Sequence, residues 1–259
     1  MLVNFRTKHM NEWVSSSATW IPDNVVVKCT SEVEPTALQP CWGGLDLASV
    51  GDITALTLVW PSEGKYIVRS WYWLPSDAVD KRMQSSGSHI YDEFQNHDNV
   101  FITEGNVTDY DSIRRFVTGY HIENGAVKYD PDCLATRYKI EAIAFDRFNS
   151  SQCVLNLAAD GINVVPYGQG FVSMSTPSKE LERLMSEFKV QHDGDPVLRW
   201  MFGNVVLRMD ASGNIKPDKE KSGDKIDGIV SLIMSIGQAM TDQSKPQTSI
   251  PTNYDIRTL

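Results

Sequence analysis

The segment from Trp42 to Leu56 constrains the fold more than any other part of the chain. It reads Trp-Gly-Gly-Leu-Asp-Leu-Ala-Ser-Val-Gly-Asp-Ile-Thr-Ala-Leu, which predicts a buried strand, a tight turn and a second strand. Asp46 lies between Leu45 and Leu47 in the first of these strands. Because a buried carboxylate is costly unless something pairs with it, usually a cation, Asp46 is a candidate metal ligand.

The next three segments predict that the sheet begins with antiparallel strands. Residues 53–60 alternate and are rich in β-formers, residues 61–65 predict a hairpin turn, and residues 66–74 predict a third strand. A polar insert, helical or irregular, is expected over residues 77–99, before a short extended piece at residues 100–103.

The rest of the chain alternates between helices and strands. Thr108 with Asp111 predicts the start of a helix that runs to about Tyr120. Further helices are expected over residues 150–159, 178–189 and 225–240, and extended segments over residues 140–145, 163–166 and 204–209. Strand–helix–strand crossovers make the later strands parallel. The order predicts an α/β fold of the ribonuclease-H-like type: a mixed sheet, with three antiparallel strands and then parallel strands, and helices on both faces.

Three regions are expected along the chain. Prolines break much of residues 1–40, which we interpret as an N-terminal arm or a remnant of an interdomain region. Residues 41–240 form the predicted domain. Residues 241–259 are polar with two prolines and predict a flexible tail.

Two more acids stand in apolar surroundings like those of Asp46. Asp146 ends the apolar run 140–145, and Asp227 lies in the last predicted helix. If the first and fourth strands are neighbours, Asp46 and Asp146 lie side by side, and the last helix brings in Asp227. Mg²⁺ and Mn²⁺ prefer oxygen ligands and keep several waters, so a few carboxylates suffice. The trio predicts a site for two Mg²⁺ or Mn²⁺ ions that hydrolyses phosphodiesters.

Each of these acids also has a structural interpretation. Asp46 can cap a turn, and Asp146 can pair with Arg147 or cap the helix that follows. Asp227 can be favoured near a helix N-terminus by the macrodipole. The pattern of all three together supports the metal site more strongly than any single member.

Asp52 and Asp224 are the other candidate ligands. Asp52 follows a glycine, and we interpret it as a turn residue that can also serve as an outer ligand. Asp224 lies one turn before Asp227, and we interpret it as the N-cap of the last helix, with a ligand role as the alternative.

The formal net charge of −9 argues against a general nucleic-acid binder, because affinity for DNA comes from cations that face phosphates. DNA contact would need a local basic stripe. Lys219 and Lys221, which precede the third acid, are the best candidates, and Arg147, Lys81 and Arg82 are the others.

Membrane and redox signals are weak. No apolar run reaches the roughly 18 residues of a membrane-spanning helix, and the first residues lack the apolar stretch of a signal peptide. The four cysteines are far apart without CxxC spacing, which fits reduced thiols in a cytoplasm.

Six segments carry a resemblance to a known family. They are residues 44–56, 103–113, 145–149, 169–182, 200–205 and 221–230. As an ordered set they resemble the large terminase subunits of tailed bacteriophages, and most of all those of the HK97-like phages. The catalytic acids of that family correspond to Asp46, Asp146 and Asp227.

The resemblance implies an endonuclease domain that cuts concatemeric phage DNA. It also implies the family's partners: double-stranded DNA, the portal protein, the small terminase subunit and the ATPase domain of the same subunit. The expected location is the host cell cytoplasm, transiently at the procapsid portal, with no membrane. The chain has no GxxxxGK[ST] segment, so we expect the nuclease part alone, without ATP hydrolysis and with weak cleavage.

Two alternatives stay open on the sequence. One is another nuclease on the same scaffold, such as a Holliday-junction resolvase or a transposase. The other is a non-catalytic module that docks to a portal or capsid protein, with the acids in structural roles.

Overall fold

The computed structural model describes residues 19–48, 51–86, 90–147 and 152–244. The strands in these ranges are β1 Pro40–Asp46, β2 Thr54–Ser62, β3 Lys65–Pro75, β4 Val100–Thr103, β5 Tyr120–Glu123, β6 Ala126–Tyr129, β7 Lys139–Asp146, β8 Val164–Tyr167, β9 Val190–His192, β10 Leu207–Met209 and β11 Ile215–Pro217. The helices are α1 Asp23–Lys28, α2 Ser76–Ser86, α3 Ile90–Phe94, α4 Tyr110–Thr118, α5 Leu134–Arg137, α6 Gln152–Ala159, α7 Phe171–Ser186, α8 Pro196–Asn204 and α9 Asp227–Gln243.

A mixed sheet forms the centre of the molecule. Its strand order is β4-β3-β2-β1-β7-β8, and β9 pairs with the same edge of β3 as β4. Strands β1, β2 and β3 are antiparallel, and Glu63 and Gly64 make the turn between the last two with positive φ angles. Strands β7 and β8 join β1 in parallel. The predicted mixed sheet, antiparallel and then parallel, is confirmed.

Side chains alternate between two buried faces of this sheet. Along β2, Ala55 and Val59 belong to one apolar cluster, while Leu56 and Leu58 belong to the other. Helices α7, α8 and α9 cover the first face, and α4 and α6 cover the second. The prediction of helices on both faces is therefore correct, and α9 is buried on nearly all sides over Asp227–Ala239.

Helix α9 packs directly on β1 at Gly44. A Cβ atom at this position would lie 2.1 Å from the carbonyl oxygen of Ser231, so only glycine allows the approach. The hydroxyl of Ser231 donates to the Gly44 carbonyl over 2.6 Å, and Ser235 donates to the Thr57 carbonyl over 2.8 Å. These contacts fix the start of α9 beside the end of β1.

The described part of residues 1–40 packs on the domain. Val26 in α1 and Cys29 after it are buried in the core cluster. The imidazole Nε2 of His192 hydrogen-bonds to the Val26 carbonyl over 2.9 Å, and its Nδ1 accepts from the Gly194 N–H. Residues 1–18 and most of the predicted tail, residues 245–259, lie outside the described ranges. Within those ranges, no helix has the length and apolar character needed to cross a bilayer.

Three helix starts differ from the prediction. Helix α4 is capped by Asp109, whose carboxylate accepts from the Asp111 N–H, so the cap at Thr108 was wrong. Helix α7 begins at Phe171, earlier than the predicted start at residue 178, and contains Pro177. Helix α9 begins at Asp227 without a side-chain cap, so the interpretation of Asp224 as its N-cap is wrong.

Candidate metal centre

Asp46 and Asp146 end two neighbouring parallel strands. Leu45 and Phe145 are the last registered pair of β1 and β7, and each acid is the next residue on its strand. Because side chains alternate, both acids fall on the face opposite Leu45 and Phe145, which is the face that α9 covers. Asp46 is fully buried, whereas Asp146 is half-buried.

Asp227 reaches the same region from the first turn of α9. It is buried, and an ion pair with Lys219 links it to Asp46. The Lys219 Nζ lies 2.6 Å from Asp46 Oδ2 and 2.9 Å from Asp227 Oδ1. The structure therefore joins two of the three predicted acids through one ammonium group, with Asp146 on the adjacent strand.

Gln169 holds the other oxygen of Asp46. Its amide Nε2 donates to Asp46 Oδ1 over 3.0 Å, and its backbone carbonyl accepts from the Lys216 Nζ over 3.2 Å. Gln169 was not among the predicted site residues, although it begins one of the segments that carry the family resemblance. Its position between β8 and α7, next to the end of β7, is a signal that only the topology provides.

Burial and charge act against each other in this cluster. Burial raises the pKa of Asp227 to about 6, the Lys219 ammonium opposes that rise, and the Asp46 carboxylate adds to it. Burial disfavours the charge on Lys219, but Asp46 and Asp227 outweigh burial and hold the pKa of Lys219 above its ordinary value. A cation between Asp46 and Asp227 is therefore strongly favoured.

Asp52 and Asp224 pair with other cations. The Lys225 ammonium contacts the Asp52 carboxylate, and Arg82 lies 3.0 Å from Asp224 and 3.9 Å from Asp52. Asp52 still influences the centre, since its charge contributes to the raised pKa of Asp227. These pairs connect the segment before β2, the insert helix α2 and the loop before α9.

The cations proposed for DNA contact occupy different environments. Lys219 belongs to the carboxylate cluster, and the exposed Lys221 follows it by two residues. Arg147 is exposed and directly follows Asp146. Arg82 belongs to the network with Asp52 and Asp224, and its neighbour Lys81 is exposed.

The donor set fits a hard divalent cation. Carboxylate oxygens are the ligands that Mg²⁺ and Mn²⁺ prefer, and Asp227 Oδ2 is buried without a hydrogen-bond partner. A positive charge, the Lys219 ammonium, already lies between Asp46 and Asp227. Across the described ranges, no three acidic, histidine or cysteine side chains are grouped closely enough to hold an ion in this arrangement. Metal binding would thus require these side chains to rearrange.

Comparisons with known proteins agree with this architecture. The family described as terminase large subunit, endonuclease domain, matches residues 1–243. Protein YmfN of Escherichia coli K12 is 30% identical over 272 residues, which covers 98% of this chain and 56% of YmfN. The large terminase subunit of Enterobacteria phage HK97 is 30% identical over 238 residues, or 91% of this chain and 44% of that protein.

Solved structures show the same relationship. The crystal structure of the HK97 large terminase matches with a TM-score of 0.70 at 28% identity, over 91% of this chain and 46% of that one. The large terminase nuclease of thermophilic phage G20c, solved with bound cobalt, matches with a TM-score of 0.50 at 12% identity, over 86% of this chain and 98% of that one. The chain spans about half the length of the curated relatives it matches. It belongs to the family of terminase large-subunit endonuclease domains.

Proposed function

We propose that the chain is a metal-dependent endonuclease that cuts concatemeric double-stranded viral DNA during phage packaging. The observation that carries this proposal is the pair of buried carboxylates, Asp46 and Asp227, which share one cation beside the strand end that bears Asp146. Membership of the endonuclease family supports the reaction class, and the cobalt bound to the G20c nuclease supports a metal centre.

Asp46, Asp146 and Asp227 are the residues that would hold two Mg²⁺ or Mn²⁺ ions. The ions would neutralise the phosphate and activate the attacking water, as in other two-metal sites. Asp46 and Asp146 come from rigid neighbouring strands, which suits the spacing such a site requires. Gln169 fixes the orientation of Asp46 by donating to its Oδ1. Asp227, from α9, would complete the set and orient the water.

The wider assembly is part of the same proposal. Residues 41–240 would belong to the nuclease domain, which would be connected to the ATPase domain of the same subunit. The small terminase subunit and the portal protein would be the other partners, in the host cell cytoplasm and at the procapsid portal. DNA would contact Lys221, Arg147, Lys81 and Arg82, with Lys219 at the cutting centre.

Nicking of supercoiled plasmid in Mn²⁺ tests the proposal. We expect Asp46→Asn, Asp146→Asn and Asp227→Asn each to lower the nicking rate by about 100-fold or more, as loss of one group that stabilises charge in the transition state does elsewhere. Glu63→Gln is the matched control, because it removes one exposed carboxylate at the far end of the β2–β3 hairpin. Wild-type rates in the three aspartate variants, with unchanged circular dichroism, would refute the assignment.

Two further measurements separate the alternatives. A strong preference for four-way junctions over linear duplex would indicate a junction resolvase. Absence of both Mn²⁺ binding and cleavage by wild-type protein would favour a docking module with structural acids.

A further inference from the structure

The side chains that form the ion pairs of Lys219 differ in their exposure to solvent. The carboxylates of Asp46 and Asp227 are only 2% and 9% exposed, whereas the Lys219 side chain is 45% exposed. Lys219 lies in the loop that follows β11, so its backbone does not belong to the sheet or to α9. The ammonium is thus inserted from the surface, and its four-carbon stem can turn away without disturbing the fold.

Asp218, the residue before it, has one satisfied and one unsatisfied oxygen. Asp218 Oδ1 accepts from the backbone N–H groups of Glu220 and Lys221 over 3.1 and 3.3 Å. Asp218 Oδ2 is buried without a hydrogen-bond partner, and the residue is only 6% exposed. A buried carboxylate oxygen without a partner is costly, so its presence calls for a cation that can reach it.

A cavity of about 210 Å³ lies between these groups. Asp218, Lys219, Lys216 and Gln169 are among its lining residues. Lys219 therefore borders both the Asp46–Asp227 pair and the space beside Asp218, and the cavity gives its side chain room to move.

We propose that Lys219 is a built-in counter-ion with two positions: between Asp46 and Asp227 in the absence of metal, and beside Asp218 when a divalent cation binds. This exchange rests on the proposed function and would regulate metal binding at the same site. In the metal-free protein the ammonium neutralises two carboxylates that would otherwise repel each other in a buried site. An incoming cation with two charges repels Lys219, and Asp218 offers the displaced ammonium a buried partner.

The exchange has a measurable consequence for metal affinity. Metal must compete with Lys219, so wild-type protein binds metal less tightly than a variant without this ammonium. Asp218 assists the displacement, so its removal penalises metal binding only when Lys219 is present. Both effects concern binding and are independent of DNA cleavage.

Calorimetric titration of Mn²⁺ into the full chain, without DNA, tests this exchange. We expect Lys219→Met to bind Mn²⁺ at least about 10-fold more tightly than wild type and to melt at a lower temperature in EDTA, because two buried carboxylates lose their cation. Lys221→Met, which removes the same charge from an exposed neighbour, is the matched control and should change both quantities far less.

Asp218→Asn keeps an acceptor for the two N–H groups but loses the charge that would receive Lys219. We expect it to weaken Mn²⁺ binding several-fold in the wild-type background and to change nothing in the Lys219→Met background. It also serves as the test if Lys219→Met does not fold. Unchanged or weaker Mn²⁺ binding in Lys219→Met, or unchanged binding in Asp218→Asn, overturns the exchange. If the wild-type protein binds Mn²⁺, these results refute the exchange of Lys219 but not the proposed nuclease function. If neither wild type nor any variant binds Mn²⁺, both the exchange and the proposed nuclease function are refuted.

Discussion

A neutral donor, the amide of Gln169, orients the Asp46 carboxylate. Gln169 donates to its Oδ1, and Lys219 occupies its Oδ2. We expect Gln169→Leu to lower Mn²⁺-dependent nicking by about 10- to 100-fold, because loss of a group that orients a metal ligand has effects of that size. Plasmid nicking measures the change, and Gln191→Leu on strand β9 provides the control. Full activity in Gln169→Leu would show that Asp46 needs no orienting partner.

Asp195 makes stability depend on pH at a position in the core. Its Oδ1 caps α8 through the Val197 N–H and its Oδ2 accepts from the Tyr72 hydroxyl, both over 2.8 Å. Burial raises the pKa of Asp195 from 3.8 to about 6. The folded state therefore retains a proton that the unfolded state loses between these values. The contribution of Asp195 to stability is present below pH 3.8 and is lost as pH rises through 6.

Asp195→Asn should remove this dependence. An asparagine keeps the helix cap but carries no charge. The free energy of unfolding of wild type minus that of the variant should fall by up to about 3 kcal/mol between about pH 4 and about pH 7. Urea unfolding at a series of pH values measures the difference. A difference that is constant with pH would mean that Asp195 titrates normally.

The local sequence pointed to individual acids but not to their partners. Asp46, Asp146 and Asp227 were recognisable because apolar neighbours surround each of them. Gln169 and Lys219 meet Asp46 only through tertiary structure, at separations of 123 and 173 residues. Asp218 was missed because nothing in its sequence neighbourhood indicates that its carboxylate is buried.

Among the secondary-structure elements, α9 and β1 are in unusually close contact. Replacing Gly44 with alanine would place a methyl group against the backbone of α9, which cannot turn aside as a side chain can. We expect Gly44→Ala to destabilise the protein by about 1–3 kcal/mol or more, as overpacking does in other cores. Shifting α9 would also move Asp227, so nicking should fall in parallel.

Thermal or urea unfolding measures the effect of Gly44→Ala. Gly203→Ala is the matched control, because this glycine is exposed in α8 and a Cβ there would meet no atom within 4 Å. The control should be neutral or stabilising by up to about 1 kcal/mol, the usual gain of alanine over glycine in a helix. Equal stability of Gly44→Ala and wild type would show that α9 can move off β1 freely.

The predictability of each element followed from its pattern. A high content of β-formers identified β2 and β3, and an apolar run identified β7. Helix α8 was not predicted, although Asp195 followed by Pro196, a cap followed by proline, is a recognised helix start. The β5–β6 hairpin was not predicted. Its strands are short and mostly exposed, so burial imposes no alternation of apolar and polar residues along them.

At the scale of the whole molecule, charge opposes contact with DNA. The formal net charge is −9, so any DNA contact must come from a few local cations. We expect binding to a short duplex to be weak and to decline steeply between about 50 and 200 mM salt. Fluorescence anisotropy in Ca²⁺ measures it, with Lys81→Met and Lys221→Met reducing the salt slope. Affinity that is insensitive to salt would contradict phosphate contact.

The sheet order is the feature that no local pattern reveals. Strand β1 pairs with β7, from much later in the chain, and this pairing places Asp46 beside Asp146. The predicted topology already implied that β1 and β7 are neighbours. The cavity beside Lys219 and the charges around it depend instead on how β10, β11 and the loop after β11 pack on the sheet.

The central position of α9 has a consequence for biosynthesis. The helix that carries Asp227 and fills the middle of one face of the sheet is the last helix of the described chain to leave the ribosome. Until Asp227 emerges, Asp46 lacks the opposing acid, although Lys219, which precedes α9, has already been synthesised. A nascent chain without α9 therefore cannot assemble the proposed metal centre, which is complete only after Asp227 has been synthesised.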